Sequence, residues 1–129
     1  MRMATATSQP DKSKFDASRL QARWRADERA RRARSTALLA DVRAKAAPVL
    51  CRFGAREAVV FGSLVEGTAR DDSDIDLVVL GTEPAAYWEL RRELESALGR
   101  ALDLLTEADD ARFVAKALAR GEVIYAAEP

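Results

Sequence analysis

The stretch Gly62-Ser63-LVEGTARDDS-Asp74-Ile75-Asp76 decides the reading of this chain: a glycine-serine pair, ten intervening residues, then an acid-x-acid pair. Immediately before it, Glu57 to Phe61 (EAVVF) is short, apolar and β-branched, which predicts a buried strand closed by Gly62. Glycine has no Cβ, so the backbone at Gly62 can approach a ligand closely, and the amides that follow can point at an anion. The Ser63 hydroxyl adds a donor. Immediately after it, Ile75 to Leu80 (IDLVVL), stopped by Gly81, predicts a second strand. Side chains alternate along a strand, so Asp74, Asp76, Val78 and Leu80 share one face. Two carboxylates so placed repel unless a cation lies between them, and a hard, oxygen-ligated ion such as Mg²⁺ is the usual solution.

Working outward, Leu64 to Ala69 is expected as a short helix whose N-terminal dipole faces the anion. Ser35 to Phe53 carries Leu38, Leu39, Val42, Ala46, Val49 and Leu50 at helical spacing, which predicts a core helix kinked or ended by Pro48 and closed by Gly54. Thr82 to Gly99 is the clearest helix: Thr82 as cap, Pro84 in the first turn, and a stripe of Tyr87, Leu90, Leu94 and Leu98 over one sheet face. Asp109 or Asp110 is expected to cap a last helix through Ala119, and Gly121 to turn into a terminal strand, Glu122 to Ala126. No internal repeat is visible.

The 129 residues, 48% of them hydrophobic, suit one domain with a genuine core. Net charge is zero, but its distribution is uneven: the first 34 residues hold ten basic and four acidic side chains, a net +6, and the remainder is −6. Residues up to about Lys12 are polar and small and are expected to be disordered. Phe15 to Arg34 favours helix but offers only Phe15, Leu20 and Trp24 as large apolar residues, so it has little to bury. Its expected form is a solvated helical extension; a basic arm docking on an acidic partner or on nucleic acid is the less favoured reading. The division is therefore a basic, partly disordered or helical extension over 1–34 and a compact domain over 35–129.

With a single cysteine, Cys51, an internal disulfide is excluded, and with no histidine the usual zinc ligand and general base are missing. Carboxylates must do the chemistry. Cys51 is expected as an inert core thiol, and Tyr87, Trp88 and Tyr125 as core or interface residues. Asp71 and Asp72 are expected in a solvated turn, and Arg70 as a surface residue or a phosphate contact. No apolar run is long enough to span a membrane and no secretory leader is recognisable, so a cytoplasmic protein is expected.

The spacing G-S, ten residues, D-x-D resembles the signature of the nucleotidyltransferases of the DNA polymerase β superfamily. Within it, the string GTARDDSDIDL and the ending GEVIY resemble the minimal nucleotidyltransferases, commonly encoded beside a HEPN-domain partner. The resemblance covers roughly Ser35 to Glu128. It implies an α+β fold, a small mixed β-sheet flanked by helices, and a third carboxylate on a neighbouring strand, for which Asp103 in Leu102-Asp103-Leu104-Leu105 stands in the right place. Asp74, Asp76 and Asp103 would then hold two Mg²⁺ ions about 3.5 to 4 Å apart, with Asp103 also able to take the nucleophile's proton. Gly62 and Ser63 would grip the triphosphate of ATP. Many relatives carry an arginine or aromatic residue just after the G-S pair, where this chain has Leu64 and Val65. Glu66 and Glu107 match no acidic position of the family. By the same resemblance the reaction is transfer of AMP from ATP to a hydroxyl, a tyrosine of a HEPN toxin, making this chain an antitoxin. The alternatives are a non-catalytic antitoxin on the same fold, or nucleotidyl transfer to a small molecule.

Overall fold

The computed structural model describes residues 2–70 and 72–128, with side chains from residue 17 onward; the expectation for Asp71 lies outside the described residues. The elements are α1 (Arg2–Arg52), β1 (Glu57–Phe61), α2 (Ser63–Glu66), β2 (Ile75–Leu80), α3 (Tyr87–Leu98), β3 (Leu102–Leu105), α4 (Ala111–Arg120) and β4 (Glu122–Ala126), with a 3₁₀ turn at Pro84–Ala86. The strands form one mixed sheet in the order β3-β2-β1-β4. Strand β1 runs antiparallel to both β2 and β4, and β2 runs parallel to β3. This is the α+β architecture, a small mixed sheet flanked by helices, that the resemblance implies.

Alternation sorts the strand residues between two layers. Ala58, Val60, Ile75, Leu77, Val79, Leu102 and Leu104 face α1 and α3, where they pack with Val42, Ala46, Val49, Leu50, Leu90, Leu94 and Leu98 in one buried cluster. On the opposite face Val78 and Leu80 meet Val114 and Ala117 of α4, flanked by Phe61, Leu105 and Leu118. Burying each leucine of the first cluster contributes roughly 1.5–3 kcal/mol, which is what keeps the continuous face of the sheet dry.

Four features differ from the expectations. Helix α1 is unbroken, so the start expected to be disordered to about Lys12 is helical. What changes at position 35 is burial: residues 17–34 are all exposed, and Ser35 is buried. Extending an existing helix through good formers such as Ala and Arg costs little once the core half has nucleated it. Pro48 neither ends nor delimits the helix, which continues to Arg52 because Val49 and Leu50 are anchored in the core. Thr82 caps nothing; Ala86 N–H bonds to Glu83 O at 3.0 Å in the 3₁₀ turn, and α3 starts only at Tyr87. Finally, Cys51 is exposed and free; of the two places expected for Trp88, core or interface, it is not in the core, being 68% exposed, edge-on to Tyr87 and under Arg91. Each sits one position from a helix's buried row, beside Leu50 and Tyr87. Tyr87 meets its expectation, donating its hydroxyl to Leu104 O at 3.0 Å from a half-buried position.

At the far end, Asp110 caps α4 by accepting from the Arg112 and Phe113 amides. Gly121 passes the chain from α4 into β4 so tightly that a Cβ there would stand 2.6 Å from Val60 O and 2.8 Å from Ala117 O.

Candidate active site

The last residue of β1 pairs with the second of β2, Phe61 opposite Asp76, so Gly62 rides directly over the Asp76 carboxylate. Its backbone is left-handed, φ 74° and ψ −146°, a region essentially reserved for glycine. A Cβ would collide with Asp76 Oδ2 and lie 3.1 Å from its Cγ. The glycine of the motif is thus fixed twice, by conformation and by contact with the carboxylate fourteen residues later. Helix α2 is shorter than expected: Val65 and Glu66 amides turn back onto Gly62 O at 3.1 and 3.0 Å, and Gly67 ends it. A single turn has no appreciable macrodipole, so whatever the turn offers an anion comes from its local amides and the half-buried Ser63.

Across the parallel pair β2–β3 the register sets Asp76 opposite Asp103. The Asp76 carboxyl is held above the ordinary carboxylate range, first by burial, then by the charges of Asp103 and Asp74, by a hydrogen bond with Asp103, and least by Glu66. Asp74 and Asp103 are exposed and Asp76 half-buried. The sequence-derived residues Gly62, Asp74, Asp76 and Asp103 are therefore brought to one end of the sheet, with Ser63 beside them. Among the described residues no three His, Cys, Asp or Glu side chains already stand in a metal-holding arrangement. The donor set, all carboxylate oxygen with mutual repulsion to relieve, has the chemistry a hard divalent cation takes.

Asp74 stands just outside β2 and is held there by a device with no local signature. Arg100 donates to Ser73 O at 3.1 Å and Arg70 O at 3.3 Å, while Ser73 Oγ accepts from the Arg70 amide at 2.8 Å. Ile75 N–H then bonds to Ala101 O at 3.1 Å. Arg70 thus shapes the loop through its backbone. The partners lie some 30 residues apart in the chain, so no spacing pattern could have named Arg100. Glu107, not among the predicted site acids, accepts from the Gly81 amide at 2.9 Å and closes the other end of β2.

Beside Gly62 a cavity of about 340 Å³ opens between the β1 end and α4, with Phe61 and Val65 on one wall, Phe113, Lys116 and Arg120 on the other, and Glu66 at its edge. Phe113 meets Phe61 edge-on at 6.2 Å between ring centres. The α4 residues were not visible as site residues in the sequence; their i, i+3, i+7 spacing reads equally well as an ordinary surface helix.

This fold, with a glycine-serine turn over paired strand carboxylates, belongs to one family: residues 52–129 match the model described as Polymerase beta, Nucleotidyltransferase, and the chain is a member of it. Among particular relatives, it is 42% identical over 77 residues to Protein adenylyltransferase MntA of Thermococcus cleftensis, covering 57% of this chain and 77% of that one. A second relative named for protein adenylyltransferase activity, from Methanocaldococcus jannaschii, is 35% identical over 69 residues, covering 51% and 74%. A crystal structure of a toxin-antitoxin with AMP-PNP superposes with a TM-score of 0.54 at 26% identity, covering 63% of this chain and 70% of that one.

Proposed function

We propose that this chain transfers AMP from ATP to a protein hydroxyl, a tyrosine of a HEPN-type toxin partner, and so acts in the cytoplasm as the antitoxin of the pair. One observation carries the reading: Asp76, directly beneath the Gly62 turn, faces Asp103 across β2–β3. The relatives named protein adenylyltransferase, and the neighbour crystallised as a toxin-antitoxin with AMP-PNP, support the donor and the partner.

Asp74, Asp76 and Asp103 would hold divalent cations, two Mg²⁺ in the full arrangement, which when bound supply charge neutralisation at the phosphates. Gly62 lets the triphosphate lie against the backbone, and Ser63 donates to it. The hydroxyl oxygen attacks the α-phosphorus in line, its bond forms as the bond to the bridging oxygen of the β-phosphate breaks, and pyrophosphate leaves. Asp103, the most exposed of the facing pair, accepts the hydroxyl proton. No helix among the described residues is long and apolar enough to cross a membrane.

The test is incubation with α-³²P-ATP, Mg²⁺ and the HEPN protein encoded beside this chain, comparing wild type with Asp74→Ala/Asp76→Ala. Label on the partner that requires the two aspartates supports the reading. Undiminished neutralisation of the toxin by the unlabelling double variant would replace it with a purely binding antitoxin.

A further inference from the structure

We propose that α4 is the second jaw of the nucleotide site: Lys116 and Arg120 bind the polyphosphate of a nucleoside triphosphate and Phe113 carries its base. This rests on the nucleotidyl-transfer reading and adds a binding surface from a helix that the G-S…D-x-D motif does not include.

The argument begins with what the motif lacks. A nucleoside triphosphate brings about four negative charges toward three carboxylates, and the turn after Gly62 offers no cation, since Leu64 is buried and Val65 is apolar. Positive side chains must come from elsewhere: Arg31, Arg32, Arg34 and Arg70 line a separate cavity with Glu66 and Gly67, and α4 brings two to Gly62 itself, on the acids' own face of the sheet. Sheet alternation puts Asp76, Phe61 and Asp103 on the same face as Val78 and Leu80, and that is the face α4 covers through Val114 and Ala117. Helix α4 therefore ends beside the acids, not behind them.

Phe113, Lys116 and Arg120 project from α4 into the 340 Å³ cavity whose opposite wall is Phe61 and Gly62, a volume within the roughly 300–1,000 Å³ of small-molecule sites. Neither Lys116 nor Arg120 makes an ion pair among the described residues, although Glu66 stands at the same cavity. Two unpaired cations one helical turn apart, facing a glycine that admits close approach, form a bidentate clamp for phosphate oxygens. Phe113 is 54% exposed, and its edge-on contact with Phe61 leaves a ring face open to a base. A single exposed phenylalanine is commonplace; one lining a cavity between two cations and the motif glycine is not.

The experiment is calorimetric titration of Mg·ATP and, separately, of AMP into the full chain, for wild type, Lys116→Ala/Arg120→Ala and Phe113→Ala. All three side chains are exposed, and thermal melts check that the variants fold. The double variant is expected to weaken ATP binding about tenfold or more while changing AMP far less, because the lost partners are those of the β- and γ-phosphates. Phe113→Ala is expected to weaken ATP and AMP by the same factor, on the order of tenfold, because both ligands share the base. Wild-type binding of Mg·ATP with no loss in the variants would overturn the α4 assignment and leave nucleotidyl transfer standing. Wild type that binds no Mg·ATP while retaining its fold would overturn both.

Discussion

On one face of the sheet Ile75, Leu77 and Val79 are sealed beneath α1 and α3; on the other, Val78 and Leu80 lie beneath α4 but Asp76, one step earlier, is only half-buried beside Asp103. The same strand thus serves two masters by alternation alone. The first face is closed and apolar and supplies stability. The second is interrupted by charge where the sheet ends, and the raised Asp76 proton affinity records the cost, first, of burying that carboxyl and, second, of holding like charges beside it. The difference teaches that the site is tolerated by the fold, not built for its stability.

The sharpest break of that comparison is Asp74→Ala/Asp76→Ala, expected to reduce AMP transfer by about 10²–10⁴-fold or more while leaving the melting temperature unchanged or higher, read by label transfer and calorimetry. Leu77→Ala, one residue along on the opposite face, is expected to do the reverse, costing about 2–5 kcal/mol of stability in urea unfolding. Gly62→Ala should strike both properties. Its strained φ costs about 1–3 kcal/mol, and its Cβ displaces the Asp76 carboxylate, so activity falls even where the variant is fully folded.

A pH series sharpens the same contrast. Because the folded Asp76 carboxyl is raised, the folded state binds its proton more tightly than the unfolded chain, and stability is lost as pH rises from the ordinary carboxylate value of 3.8 through the raised one. Asp76→Asn removes that loss. It is expected to melt above wild type at neutral pH in the absence of divalent cations, with the difference vanishing in acid. Added Mg²⁺ should raise the melting temperature of wild type and not of the variant. The smallest effect belongs to Trp24→Ser on the free half of α1, where 69% exposure predicts a change within about 0.5 kcal/mol.

The two halves of α1 show where sequence reading succeeded and failed. Its apolar spacing correctly gave Val42, Ala46, Val49 and Leu50 to the core, and its scarcity of apolar residues correctly left Leu20 and Trp24 outside, 50% and 69% exposed. It missed the helical start before about Lys12, because propensity is local whereas helix continuity is borrowed from whatever part is packed. Cys51 failed similarly: its neighbour Leu50 is fully buried, and only the helix's rotation against the sheet decides which of the two points inward.

What the sequence determined by itself is the local chemistry: a glycine turn between two short strands, two acids on one strand face, an aspartate cap at 109 or 110, and a carboxylate-only repertoire. These follow from period, turn residues and composition, each legible within a few positions. What only the tertiary structure decided is convergence. The parallel register that sets Asp103 opposite Asp76, the Arg100 contacts that hold the loop before Asp74, and the approach of Lys116 and Arg120 to Gly62 join residues some 25 to 60 positions apart. Such pairings are selected by how α1, α3 and α4 close over the sheet, and no stretch of the chain carries that information alone.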